Sequence, residues 1–530
     1  MRWVVLLLIA IFISGCTGGE APDVTKETAA PGIHDEVEAG PIEVFLPGTQ
    51  PDVVTFERVS FCKFCHGGYA DYSPYDTWRG TMMGNAMRDP IFLAAVASNN
   101  KDFDGRVLIG DYCLRCHTPK GWLEGRSEPP DGSSLVAAED DFEGIICDFC
   151  HRAVDPLSEE GKGLETNGTV ETQRNAQYVV SENTAKRGPY EPTPTGHVSK
   201  KSDFHLTSEF CATCHEITNP LYNNEEIEKT YTEWKYSAYG DYADGEPISC
   251  QSCHMPTVEG YACNVDSKIL RDDIYQHEFA GGNACMQDIM KYIYEFTDEE
   301  HIAALETSQE NAIEMLGNAA KLELSYDEKK VDVKITNLAG HKLPTGFSEG
   351  RRMWINIKFL DSNGELLRES GAYDFDTGEL AKDAEIKVYE IKPGIKNTGD
   401  PESFPDLLGL PDGPSLHFAA NNYIYKDNRI PPAGFKNSDF EQYKAYIRDA
   451  AYNDGQNWDR TGYVIPDGAV SAEVTLYYQT TSKEFIEFLY EENKGNKWDY
   501  FGMGEKLYEA WQNTGKCAPV EMEKETIELS

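Results

Sequence analysis

Five times along this chain, two cysteines stand three positions apart with a histidine directly after the second. The pentads are Cys62-Lys63-Phe64-Cys65-His66, Cys113-Leu114-Arg115-Cys116-His117, Cys147-Asp148-Phe149-Cys150-His151, Cys211-Ala212-Thr213-Cys214-His215 and Cys250-Gln251-Ser252-Cys253-His254. Two thiols at this spacing can add to the two vinyl groups of one haem, and the histidine that follows ligates the iron from the proximal side. A zinc site joins two CxxC pairs and needs no histidine after each. A thioredoxin-type pair occurs once, near a βαβ pattern. The repeats therefore predict five covalently bound haem c groups, with His66, His117, His151, His215 and His254 as proximal ligands.

Six-coordinate irons need a second ligand each. Seven histidines lie outside the pentads: His34, His197, His205, His277, His301, His341 and His417. His197 follows Pro194-Thr195-Gly196, His205 stands six residues before Cys211, and His277 comes soon after the fifth pentad. His341, in Gly340-His341-Lys342-Leu343-Pro344, falls in an expected loop from which it can reach back to a haem. His417 is a further distal candidate. His301 is expected to be exposed on a helix beside Glu299 and Glu300. His34 lies far upstream and would serve a haem of a neighbouring subunit. Met82, Met83 and Met87 are read as filler against porphyrin rather than as ligands.

The elements that must position these groups divide the chain. Residues 1–16 read as a lipoprotein signal peptide ending in the lipobox Ile13-Ser14-Gly15-Cys16, with Cys16 the lipidated residue. Residues 17–50 read as a flexible tether. Residues 51–296 form the pentahaem domain, with short helices and long loops wrapped round haems, because the cofactors supply much of the buried apolar area. In it, Thr77 to Pro90 reads as a helix stopped at the proline. Residues 297–320 form a connecting amphipathic helix, with Thr297 and Glu300 as its capping box. From 321 the period changes to two, at Leu322/Leu324, Val331/Val333/Ile335, Ile355/Ile357/Phe359 and Val474/Leu476/Tyr478. This predicts an antiparallel β-sandwich within residues 321–525, closed by helices near Ser482–Glu492 and Tyr500–Trp511. The fold class is thus mixed.

The formal net charge of −42 excludes nucleic acid as a partner and excludes a polybasic membrane patch. Membrane association is expected through the N-terminal lipid anchor alone. Of the 14 cysteines, ten belong to pentads and Cys16 to the leader. Haem attachment outside the reducing cytosol permits disulfides. Cys263 and Cys285 are the expected pair, with Cys517 left free or replacing one of them.

Several stretches resemble the multihaem cytochrome c-554-like proteins of bacterial and archaeal envelopes. They are the TWRGTMMGNAMRDP run from Thr77 to Pro90, SEFCATCHE ending at Glu216, HEFAGGN from His277, GHKLPTGF from Gly340 and KDNRIPPAGF ending at Phe435. DGQNWDRTGYVIP and LYYQTTSKEF follow in the last β region. The resemblance implies closely packed haems followed by a β-domain, with His205 and His277 as distal ligands. Relatives can carry a histidine in the MMxxA segment, where this chain has Gly84-Asn85. The first haem is therefore expected to lack that ligand. The function expected is electron transfer outside the cytoplasm, to redox protein partners or an external acceptor. The rivals are an oxidoreductase acting on a small nitrogen or sulfur species at an open iron, and a subunit of a haem-lined filament.

Overall fold

The computed structural model describes residues 44–529 except 165, 193–195, 223–224, 265–268, 348 and 401–402. The expected signal peptide, Cys16, His34 and most of the tether lie outside the described residues. The described residues pack as one compact unit. None of the described helices is long and apolar enough to cross a membrane.

Each pentad is helical. The helices Val59–His66, Ile109–His117, Cys147–Cys150, Ser208–His215 and Cys250–His254 carry them, with His151 as the C-cap of the third. A helix places residues i, i+3 and i+4 on one face. Both cysteines and the histidine of a pentad therefore point the same way.

The stretch before the second pentad departs from expectation. Helix Pro74–Trp78 ends early, turns follow, and a new helix, Pro90–Phe103, begins at the proline. Pro90 occupies the first helical position, where its missing N–H is no loss, and the Asp89 side chain caps Ile91 N. Pro90 therefore starts a helix instead of stopping one. Within the turns, a Cβ on Gly80 would stand 2.0 Å from the Ala304 carbonyl oxygen. Glycine there lets the connecting helix, observed at Glu299–Gly317, lie directly on this segment. The N-cap of that helix is Asp298, not Thr297. Its carboxylate accepts from Glu300 N and His301 N and also pairs with Arg79.

The period-two segments form two antiparallel sheets. We number their strands β1 (Ala320–Tyr326), β2 (Lys330–Asn337), β3 (Arg352–Leu360), β4 (Leu366–Ser370), β5 (Val388–Tyr389), β6 (Trp458–Val464), β7 (Ser471–Gln479) and β8 (Val520–Glu528). The smaller sheet has the order β6-β2-β1, and the larger β4-β3-β7-β8 with β5 also on β3. In register, Val333 pairs with Leu324, and Ile355 with Leu476. Val331, Val333, Ile335, Ile355, Ile357, Phe359, Val474 and Leu476 belong to one core in which each is 0% exposed. Strand β8 was not foreseen; its sequence, VEMEKETIE, has few apolar residues, and it pairs along β7 at the sheet edge.

The closing helices Lys483–Asn493 and Met503–Asn513 pack on the haem-side helix Pro90–Phe103. Phe485, Leu489, Leu507 and Trp511 share a core with Ile91, Leu93 and Ala94, and Asn493 Nδ2 donates to the Ala94 carbonyl at 2.9 Å. Cys285, just before helix Met286–Tyr294, is disulfide-bonded to Cys517 and not to Cys263, which is free. Packing of the closing helices brings Cys517 to the start of that helix, while Cys263 stays in the loop beside the first pentad.

Candidate haem-binding site

All fifteen pentad cysteines and histidines line one continuous cavity of about 1350 Å³. His197, His205, His277 and His341 line it too. The pentad histidines share a hydrogen-bonding pattern. His66 Nδ1 lies 2.7 Å from the Ala262 carbonyl oxygen, His117 3.1 Å from that of Ala86, His151 2.6 Å from that of Arg187, and His254 2.5 Å from that of Ala280. A carbonyl only accepts, so Nδ1 carries the proton and Nε2 is left as the ligating atom. His197, His277 and His341 direct Nδ1 at the carbonyls of Val198, Tyr275 and Lys342 in the same way.

Three of these rings stand opposite pentad histidines. Ring centroids are 6.3 Å apart for His66 and His197, 6.2 Å for His151 and His277, and 6.3 Å for His254 and His341. Metal–imidazole bonds of about 2 Å on each side of one ion separate two coaxial rings by roughly 6 Å. The His341 loop thus reaches from the β half to the fifth pentad. His66, whose partner had seemed to be missing, faces His197. His205 lies 5.8 Å from His151, but its Nδ1 meets Ser202 Oγ and its Nε2 the Cys150 carbonyl, both at 2.9 Å. Among the described residues no second histidine ring faces His117 or His215; Phe92 stacks on His117 at 3.5 Å.

His215 differs in its Nδ1 partner, which is the Glu228 carboxylate at 3.3 Å. Burial favours the neutral ring at four others, pushing His117 and His254 down to about 4 and His205 and His277 to about 3. Burial opposes the charged form at His215 as well, yet the Glu228 carboxylate holds its pKa above the usual value. Neutral imidazole is the form that binds a metal.

Thiols of different pentads lie close enough to influence one another: Cys62 and Cys147, Cys116 and Cys214, and Cys211 and Cys250. The fourth pentad therefore lies near both the second and the fifth.

Among the described residues, two histidines fall outside the cavity lining. His417 Nδ1 is 3.0 Å from both carboxylate oxygens of Asp102, and Glu492 completes a three-residue cluster. His417 Nδ1 thus meets a carboxylate as that of His215 does, so what separates His417 from the distal candidates is its place outside the cavity, against helix Pro90–Phe103. His301, expected on the surface, is 8% exposed and packs on Phe296. Met82 and Met83 line the cavity, and Met87 is fully buried. Glu228 escaped the sequence reading, because a glutamate in a short acidic strand carries no signal of what its fold neighbour will be.

Residues 61–152 match the family described as cytochrome c554 and c-prime. No curated protein matches the chain. The fold is similar to that of a penta-heme cytochrome c552 from Thermochromatium tepidum, with a TM-score of 0.52 and 17% identity over 89% of this chain and 99% of that one. The chain is a multihaem c-type cytochrome. The donor set fits covalent haem c: a thiol pair and a neutral imidazole on one helix face, aimed into a shared cavity. In this cytochrome the pentad cysteines would form the thioethers and the pentad histidines would ligate the irons. Bound haem supplies one-electron redox chemistry tuned by axial ligands and by what hydrogen-bonds to them.

Proposed function

We propose that the cytochrome carries five haems, one on each pentad, and passes electrons along them. The observation that supports this most is the opening of all five pentads on one cavity, with thiols of different pentads close to one another. On this reading the neighbouring pairs Cys62 and Cys147, Cys116 and Cys214, and Cys211 and Cys250 mark which sites adjoin. His197, His277 and His341 are the distal ligands opposite His66, His151 and His254. The two sheets form a sandwich whose loop delivers His341. Covalent attachment outside the reducing cytosol and the Ile13-Ser14-Gly15-Cys16 lipobox support a lipid-anchored, extracytoplasmic protein. Respiratory or extracellular electron transfer to redox proteins or an external acceptor follows from that placement. Haem number is tested by mass spectrometry and the pyridine haemochrome assay: five per chain is expected, and four or fewer removes the reading.

A second reading draws on His117 and His215, which face no histidine among the described residues. An open iron there would act on a small nitrogen or sulfur species. EPR decides between the two: purely low-spin spectra favour the carrier, whereas a high-spin signal altered by nitrite or hydroxylamine favours the enzyme.

A further inference from the structure

The helix Ser208–His215 runs straight into strand Ile217–Asn219, which pairs antiparallel with strand Glu225–Glu228. Ile217 stands opposite Glu228 in that ladder. The hairpin therefore returns Glu228 to the end of the pentad helix, 3.3 Å from His215 Nδ1. Its side chain is 13% exposed, and Thr230 Oγ1 donates to the same oxygen at 3.4 Å. The other four pentad histidines give their Nδ1 proton to neutral backbone carbonyls.

We propose that Glu228 is a positioning and tuning residue that makes the His215 site electronically distinct from the other four. A carboxylate is a stronger, charged acceptor than a peptide oxygen. It draws the Nδ1 proton, raises the electron density at Nε2, and makes the ring a more basic ligand. A more basic axial ligand favours the ferric state, so the site held by His215 has a lower reduction potential than a carbonyl-bonded histidine would give it. Thiols of the fourth pentad also lie near thiols of the second and the fifth. Glu228 thereby sets the energy at the junction of the array. This rests on the proposed five-haem reading and adds that the junction is tuned by one side chain.

The test is Glu228→Gln in the haem-loaded full chain, followed by potentiometric titration monitored optically and by EPR. Glutamine supplies a neutral acceptor like those at the other pentads. One midpoint potential is expected to rise by about tenfold in its ferric/ferrous equilibrium, about 59 mV for one electron, while the others stay in place. Glu228→Asp, which keeps the charge, stays near the wild-type potentials. Unmoved potentials in Glu228→Gln with a full haem load overturn the proposal. Should that variant lose haem, wild-type protein labelled with 13C-glutamate is examined by redox-difference infrared spectroscopy. A shifted glutamate carboxylate band supports the proposal, and the absence of any such band overturns it. Wild-type haem content below five bears instead on the five-haem reading.

Discussion

The two halves of this cytochrome fill their interiors in opposite ways. In the β half, Ile355, Ile357 and Phe359 of β3 bury against Val331, Val333 and Ile335 of β2, side chain on side chain. In the haem half, fifteen pentad residues surround a cavity of about 1350 Å³ that lies beside a core containing Trp78, Ile91, Leu114 and Phe149. The first interior is complete in the polypeptide, whereas the second requires the cofactor that its own thiols capture. Binding only to the folded form stabilises that form. The largest expected effect follows directly. A chain with all ten pentad cysteines changed to serine should lose amide protection throughout residues 51–296, while β3 and β7 keep theirs in hydrogen exchange. Equal loss in both halves would erase the contrast.

The halves meet at a buried charge cluster, and the next effect in size belongs to it. Glu226 and Glu233 come from the haem half; Lys342, Asp427 and Arg429 come from the β half. Arg429 Nη2 lies 2.6 Å from Asp427, 3.2 Å from Glu233 and 3.3 Å from Glu226. Lys342 Nζ lies 2.5 Å from Asp427, and both side chains are fully buried. Removing one member of a buried pair leaves an uncompensated charge and costs about 3–5 kcal/mol. Arg429→Met should lower the unfolding free energy by about that much in denaturant titration. The same variant should also disturb the His254–His341 site, because Lys342 adjoins His341. A stable variant with unchanged optical spectra would mean that the halves are joined elsewhere.

What was legible beforehand follows the range of the interaction. The pentads were fully legible, since covalent chemistry sets their spacing and one helical turn supplies their geometry. The alternation at Val331/Val333/Ile335 named the β core residue by residue. His341 was legible as a loop histidine able to reach back across the chain, and its ring stands 6.3 Å from that of His254. Long-range facts were not. Nothing local distinguishes Cys517 from Cys263 as the partner of Cys285, and the bond spans a sequence separation of 232. His417 looked like a ligand because histidines are scarce, yet the fold seats it outside the haem cavity, against Asp102 from 315 positions away. Pro90 was read as a stop because a proline ends one helix or begins another by the same steric rule, and only its neighbour Asp89, acting as a cap, decides which.

The Cys285–Cys517 bond gives the third prediction, at a smaller scale. It fastens the start of helix Met286–Tyr294 to the segment after helix Met503–Asn513, both part of the haem-side core. Disulfides of this kind contribute about 2–4 kcal/mol, mainly through the unfolded chain. A Cys285→Ser, Cys517→Ser variant should therefore unfold at a lower denaturant midpoint, with the first protease cuts in residues 494–520. Cys263→Ser should leave the midpoint unchanged. A lowered midpoint in Cys263→Ser would show that the loop cysteine, not the closing helices, secures this side.

The smallest expected effect is one of pH, and it sharpens the meeting of the halves further. Burial, reinforced by Asp427 and Glu233, raises the Glu226 carboxyl from 4.5 to about 7, against the pull of Lys342 and Arg429. Three acids thus share two bases, and the folded state keeps a proton that the unfolded chain has released. The folded pKa lies above the unfolded one, so the folded state binds more protons between pH 4.5 and 7. Stability must then fall as pH rises through that window and level off above it. The expected loss is on the order of 2 kcal/mol between pH 5 and 7. Glu226→Gln removes the titrating group while keeping its size, so the variant should lose this slope and match or exceed wild-type stability at pH 8. An unchanged slope would place the proton on another group. A variant much weaker at every pH would mean that Glu226 is ionised in the folded state and that the cluster joins the halves with all three carboxylates charged.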